Sequence, residues 1–130
     1  GKDPLFPFGY GLSYTSFEYS DIRLSKTEIN PDESVEVTLT LKNTGKMAGA
    51  EIVQCYIQDE FASAARPVRE LADFKKIFLQ PGESIEVKMQ ISPSAMSFYD
   101  INMNYSMEKG RFKVFVGKDS DAPLVGTFRL

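Results

Sequence analysis

The sequence predicts an all-β chain of about seven strands folded as an antiparallel sandwich, and three observations carry that prediction. Val35, Val37, Leu39 and Leu41 alternate with Glu36, Thr38, Thr40 and Lys42, and Ile85, Val87, Met89 and Ile91 alternate with Glu86, Lys88 and Gln90. Phe112, Val114 and Val116 do the same against Arg111, Lys113 and Phe115. A period of two with one apolar parity marks a strand that buries one face and wets the other. Apolar runs also recur about every ten residues between turn residues. No amphipathic helix separates them, which argues against a parallel sheet.

Taken in order, Phe17 to Lys26 reads as the first strand. Phe17 and Tyr19 share one parity while Ile22 and Leu24 share the other, so a bulge is expected near Ser20-Asp21. Asn30-Pro31-Asp32 is a turn signal, Ser34 to Asn43 is the cleanest strand, and Asn43-Thr44-Gly45 closes it. Glu51 to Asp59 carries Ile52, Val53, Cys55 and Ile57, apolar enough for a central strand. Glu60 to Pro67 is a loop, and in the Arg69–Leu79 stretch Leu71 and Phe74 precede a strand-like Ile77-Phe78-Leu79. Gln80-Pro81-Gly82-Glu83 is a tight turn with glycine supplying positive φ. After the strand at Ser84–Ile91, Ser92-Pro93-Ser94-Ala95-Met96 is expected to make one helical turn. Phe98-Tyr99 opens a further strand, Asn102 to Glu108 is a hairpin or irregular insertion, and Lys109-Gly110 is a turn into Gly110–Val116. Pro123 to Leu130 ends on a strand.

Residues 1–16 stand apart from residues 17–130. Pro4 to Thr15, P-L-F-P-F-G-Y-G-L-S-Y-T, holds Leu5, Phe6, Phe8, Tyr10, Leu12 and Tyr14 among two prolines and two glycines. The prolines fix φ and withhold donors, and the glycines admit turns. Such a segment is too apolar for a solvated linker and too irregular for a strand or helix. It is expected to lie as an extended strap on apolar surface, either of its own domain or of another one.

That stretch closely resembles the lead into the C-terminal fibronectin type III-like domain of family 3 glycoside hydrolases, the β-glucosidase and β-xylosidase family. The resemblance continues in register at Asn43-Thr44-Gly45, Val53-Gln54-Cys55-Tyr56-Ile57, Arg66-Pro67-Val68-Arg69-Glu70-Leu71, Leu79-Gln80-Pro81-Gly82-Glu83 and Ser97-Phe98-Tyr99-Asp100. Position 55 departs from the family pattern, where a larger aliphatic residue is usual. The resemblance implies an immunoglobulin-like, fibronectin type III-like sandwich that is an accessory, structural module. The catalytic domains of the same parent chain are its implied partners, and carbohydrate is met only through that parent. The nucleophilic aspartate and the acid/base glutamate of the family lie upstream, and neither motif occurs in these residues. No catalytic residue is therefore carried over. An interdomain docking set of Leu5, Phe6, Phe8, Tyr10, Tyr14, Arg66, Pro67 and Arg69 is the expected functional feature.

Composition narrows the alternatives. A formal net charge of −3 with scattered cations is the wrong electrostatics for a phosphate backbone, so nucleic acid is not expected as a partner. No apolar run is long enough to span a bilayer as a helix, so no membrane partner is expected. The absence of any histidine removes Ser-His-Asp and Cys-His chemistry and every metal site built on imidazole. The single cysteine, Cys55, has no disulfide partner in the chain and sits in an apolar run, the setting of an inert core thiol. No cofactor motif is present: Gly9 and Gly11 open no helix, as a phosphate-binding loop requires.

Glycoside hydrolysis needs two carboxyl groups roughly 5–10 Å apart. The candidates are Asp59 with Glu60, Asp73, Asp100, and Asp119 with Asp121, most of them at strand ends or turns where Asp serves local hydrogen bonds. Asp119-Ser120-Asp121 lacks the remaining oxygens of a calcium loop. Asn104-Tyr105-Ser106 satisfies the glycosylation sequon. Arg66 and Arg69 flank a proline in a loop, as two solvated charges or as guanidinium groups reaching carboxylates across a domain interface. A carbohydrate-binding module is the alternative function. The chain has no tryptophan to serve as a sugar platform, and its aromatics mostly fall on inward parity or in the strap. A cell-surface adhesion module rests on fold analogy alone.

Overall fold

A computed structural model of the chain describes residues 15–60, 69–96 and 111–130. The strands are β1 (Phe17–Leu24), β2 (Val35–Asn43), β3 (Gly49–Asp59), β4 (Glu70–Leu79), β5 (Ser84–Ile91), β6 (Arg111–Gly117) and β7 (Leu124–Arg129). They form two antiparallel sheets, ordered β1-β2-β5 and β4-β3-β6-β7. This is the expected all-β, fibronectin type III-like sandwich.

The alternating runs supply the core. Leu39 pairs with Val87 and Val37 with Met89, so both strands turn the same parity inward. Val37, Leu39, Val87, Met89, Phe112 and Val114 join one buried cluster, as the periodicity requires. Phe112 and Phe128, opposite one another on β6 and β7, stack with ring centroids 5.2 Å apart. Met96 closes the core from the helical turn at residues 93–96, whose amides at Ala95 and Met96 both bond the Ser92 carbonyl.

Local signals map onto particular backbone geometry. The parity change in β1 is a register shift between Ser20 and Arg23, with Asp21 at φ 57°. Kinking this edge strand also spoils it as a template for a further strand. Gly82 lies at φ 80°, and the Glu83 amide bonds the Gln80 carbonyl, closing the predicted turn. Gly45 is glycine for a different reason. A Cβ there would stand 1.8 Å from the Thr15 hydroxyl and 3.0 Å from the Ser16 nitrogen, so only a bare Cα lets the incoming chain pass.

Asn43 organises that corner. It is fully buried at the end of β2. Its side-chain NH₂ donates to the Met47 and Leu79 carbonyls at 2.9 and 3.0 Å, and its Oδ1 accepts from the Thr15 hydroxyl and the Gly45 amide, each at 2.9 Å. Its backbone bonds Gly82 and Glu83. One residue thus ties the incoming chain, the β2–β3 loop and the end of β4 through its side chain, and the β4–β5 turn through its backbone.

One reading needs correction. β4 extends over the whole of Glu70–Leu79, well beyond the three strand-like residues at its end. Its edge position explains the weak pattern, because Asp73 and Lys75 occupy the parity of the buried Leu79, opposite the core residues Cys55 and Val53. Phe115, placed by parity with the outward residues, does lie on the outer face but is buried, because Arg69 covers it.

Candidate functional site

The two outer faces of the sandwich differ sharply. On the three-stranded sheet the outward positions carry Glu18, Arg23, Lys42, Glu86 and Lys88, and two polar pairs cross its strands. Arg23 reaches Glu86 at 3.0 Å and Gln90 donates to Glu36 at 3.1 Å. On the four-stranded sheet, Leu71 stands opposite Tyr56, Tyr56 opposite Phe115, and Phe115 opposite Leu124. This makes one apolar row across all four strands. Phe74 and Phe78 continue it along β4, opposite Gln54 and Ala50. Phe74 and Phe78 are 57 % and 60 % exposed, and Leu71, Leu124 and the nearby loop residue Met47 are about as open. The expectation that the aromatics lie inward or in the strap therefore fails at Phe74 and Phe78. Strict alternation hides such residues because β4 is polar where it should be apolar.

Arg69, a member of the expected docking set, is engaged within the domain. Its Nη1 donates to the Ser120 and Ala122 carbonyls, each at 2.8 Å, while the guanidinium lies 3.6 Å from the Phe115 ring centroid. It pins the β6–β7 loop onto the outer face through charge-assisted hydrogen bonds and a cation–π contact. The other members, Leu5, Phe6, Phe8, Tyr10, Tyr14, Arg66 and Pro67, lie outside the described residues. So do Asp100, the sequon at Asn104, the strand expected at Phe98-Tyr99, the insertion at residues 102–108 and the turn at Lys109-Gly110.

The carboxylates do structural work. Asp73 accepts the amide of Phe74 and, across the open side of the sandwich, the edge amide of Gln90. Asp119 caps its own loop by accepting the Asp121 amide. Asp59 is buried at the end of β3, and its neighbour Glu60 faces Arg111 at 3.9 Å. Asp73 stands opposite Cys55, four residues along β3 from Asp59, so about 13 Å of strand separates the two carboxylates, beyond the roughly 5–10 Å the reaction needs. No group of three or more His, Cys, Asp or Glu residues able to hold a metal ion exists among the described residues.

Sequence reasoning missed one buried acid. Glu51, 8 % exposed and on the inward parity of β3, accepts the Tyr19 hydroxyl at 2.8 Å. Burial raises its carboxyl above the ordinary value, against the opposing pull of the Tyr19 hydrogen bond, and burial raises the Tyr19 phenol as well. The pair bridges the two sheets at the end where the chain comes in. Cys55 is buried, and burial pushes its thiol up to about 12, which leaves almost no thiolate at neutral pH. A shallow depression of about 540 Å³ lies over Glu28, Ile29, Asn30, Glu33, Arg129 and Leu130. It offers no aromatic platform.

Two antiparallel sheets in this order, with an outer face clamped by Arg69, define a fibronectin type III-like β-sandwich. The chain belongs to the fibronectin type III-like domain family, whose model matches residues 51–120. It is similar to a β-glucosidase of Bacteroides ovatus, 50 % identical over 90 % of this chain and 16 % of the relative. It is also similar to a periplasmic β-glucosidase of Salmonella typhimurium, 46 % identical over 98 % of this chain and 17 % of the relative. Among solved structures, a β-glucosidase from Listeria innocua in complex with glucose matches with a TM-score of 0.76 and 40 % identity. That match covers 94 % of this chain and 17 % of the other. The chain thus spans only about a sixth of the length of the relatives it matches.

Proposed function

We propose that the chain is the C-terminal accessory module of a family 3 glycoside hydrolase whose parent hydrolyses terminal β-D-glucosides or related glycosides by a retaining, two-carboxylate mechanism. The single observation that carries this reading is similarity over nearly the whole chain to a small fraction of much longer β-glucosidases. The geometry agrees. Glu51 and Asp73 bridge the two sheets, Asp119 caps its own loop, Glu60 pairs with Arg111, and burial keeps the Cys55 thiol protonated.

The role of the module in this reading is mechanical. The strap residues Leu5, Phe6, Phe8, Tyr10 and Tyr14 anchor it on the catalytic body, with Arg66 and Pro67 contributing from the loop beyond β3. Their apolar character in sequence supports that assignment. Arg69 supports the same region from inside by holding the β6–β7 loop in place. The test is to express the full parent polypeptide and assay aryl β-glucosides, following the anomer first released by NMR. Hydrolysis with the β-anomer first formed supports the reading. A parent without glycosidase activity overturns it.

A further inference from the structure

The outer face of the four-stranded sheet has more apolar surface than its own fold uses. One limb of the patch runs along β4 from Leu71 through Phe74 to Phe78, about 20 Å at strand rise. The other spans about 14 Å, three strand spacings, from Leu71 past the half-buried Tyr56 to Leu124, with Phe115 between them already covered by Arg69. An aromatic, connected patch of this extent marks an interaction surface, whereas scattered exposed leucines would not. β4 is also an edge strand, where exposed apolar side chains invite misassociation unless something covers them. The opposite sheet shows that the bias is specific, since its outer face is charged and polar, with Arg23–Glu86 and Gln90–Glu36 pairs across its strands.

Charge describes the complementary surface. The outward positions of this sheet carry Lys76, between Phe74 and Phe78, and Lys113, beside Phe115. They include no Asp or Glu along β3, β4, β6 or β7. A partner that fits is apolar at its centre and acidic at its rim.

The chain itself indicates where that partner comes from. Thr15 and Ser16 are fixed to Asn43 and Thr44, at the end of the sheet where Phe78 and Met47 are exposed. The described chain therefore begins, at Thr15, at the border of the patch. The relatives matched here are about six times longer than the segment shared with them. A tethered body is present at an effective concentration on the order of millimolar, far above that of any second copy at working dilution.

We propose that the face bearing Leu71, Phe74, Phe78, Tyr56 and Leu124 seats against an apolar, acid-rimmed surface of the body of the parent polypeptide that precedes this module. The proposal rests on the accessory-module reading and adds which of the two sheets is the docking sheet. It also makes the polar sheet the solvent-facing side.

Hydroxyl-radical footprinting of the full-length parent tests it without any substitution. The buried Phe112 and Phe128 are the closed references and the exposed Met47 is a second reporter. Because the centre of an interface excludes water, Phe74 and Phe78 are expected to react within about three-fold of Phe112 and Phe128. Faster labelling in a monomeric parent overturns the proposal. Protection that vanishes when a dimer is diluted overturns it in favour of a second copy, and protection seen only with added cello-oligosaccharide overturns it in favour of a sugar platform. Aryl β-glucoside hydrolysis is measured on the same preparation. An active parent with open Phe74 and Phe78 refutes the docking sheet alone, whereas an inactive parent refutes the accessory reading.

Discussion

Asn43 offers the sharpest test of how the module is held together. Replacing it by alanine removes two donated and two accepted hydrogen bonds at once. The Leu79 carbonyl loses its partner in a buried setting, at about 1–3 kcal/mol. The partly buried bonds to Met47, Gly45 and Thr15 are replaceable by water and contribute about 0.5–1 kcal/mol each. Asn43→Ala should therefore cost about 2.5–6 kcal/mol, a fall in Tm of about 10–24 °C at roughly 4 °C per kcal/mol. Asn43→Asp should be worse at neutral pH, because it aims a carboxylate at two carbonyl oxygens. The buried Asp would hold its proton to higher pH than in the unfolded chain. Its penalty should then be present above the raised folded pKa and shrink as pH falls through that value towards the unfolded one. Thr44→Ala, at an exposed neighbour, should cost under about 0.5 kcal/mol. Urea and thermal denaturation of the 130-residue chain measure all three. A cost below about 1 kcal/mol for Asn43→Ala, or an Asn43→Asp variant whose deficit does not depend on pH, refutes the hub.

Glu51 should make stability pH-dependent in a definite sense. Its folded carboxyl titrates above the ordinary value of 4.5, so the stability it contributes is fully present below that value and is lost as pH rises through the raised one. Glu51→Gln keeps an acceptor for Tyr19 and should remove that loss of Tm as pH rises through the raised value; a variant that loses Tm over the same window as the unsubstituted chain contradicts the burial argument. Leu39→Ala should cost about 2–5 kcal/mol in urea denaturation, because Leu39 is fully buried between the sheets and cannot be replaced by water. A Phe6→Ser, Phe8→Ser double substitution should leave the Tm of the fragment nearly unchanged and lower that of the parent. Collapse of the fragment would place the strap in its own core.

The strands were legible wherever a half-buried face repeats with period two, as at Val35–Leu41 and Ile85–Ile91, because burial on one side is a property of the local residues. Gly82 and the bulge at Asp21 were legible for the same local reason. β4 was not, since an edge strand tolerates Asp73 and Lys75 on its inward parity and exposes Phe74 and Phe78 on the other. Phe115 is buried by Arg69, and Asn43 is satisfied by Thr15 and Leu79. Those partners are distant in the chain, and no local pattern announces them. The same holds for Glu51, whose burial depends on Tyr19 from the facing sheet. The exposed face of β4 needed the register of four strands.

The most direct measurement compares the purified 130-residue chain with its full-length parent on an aryl β-glucoside, at equal molarity and after rigorous repurification. An accessory module predicts turnover by the parent and none by the fragment. Turnover by the fragment that survives repurification and is abolished by substituting Asp59 or Asp100 would contradict it.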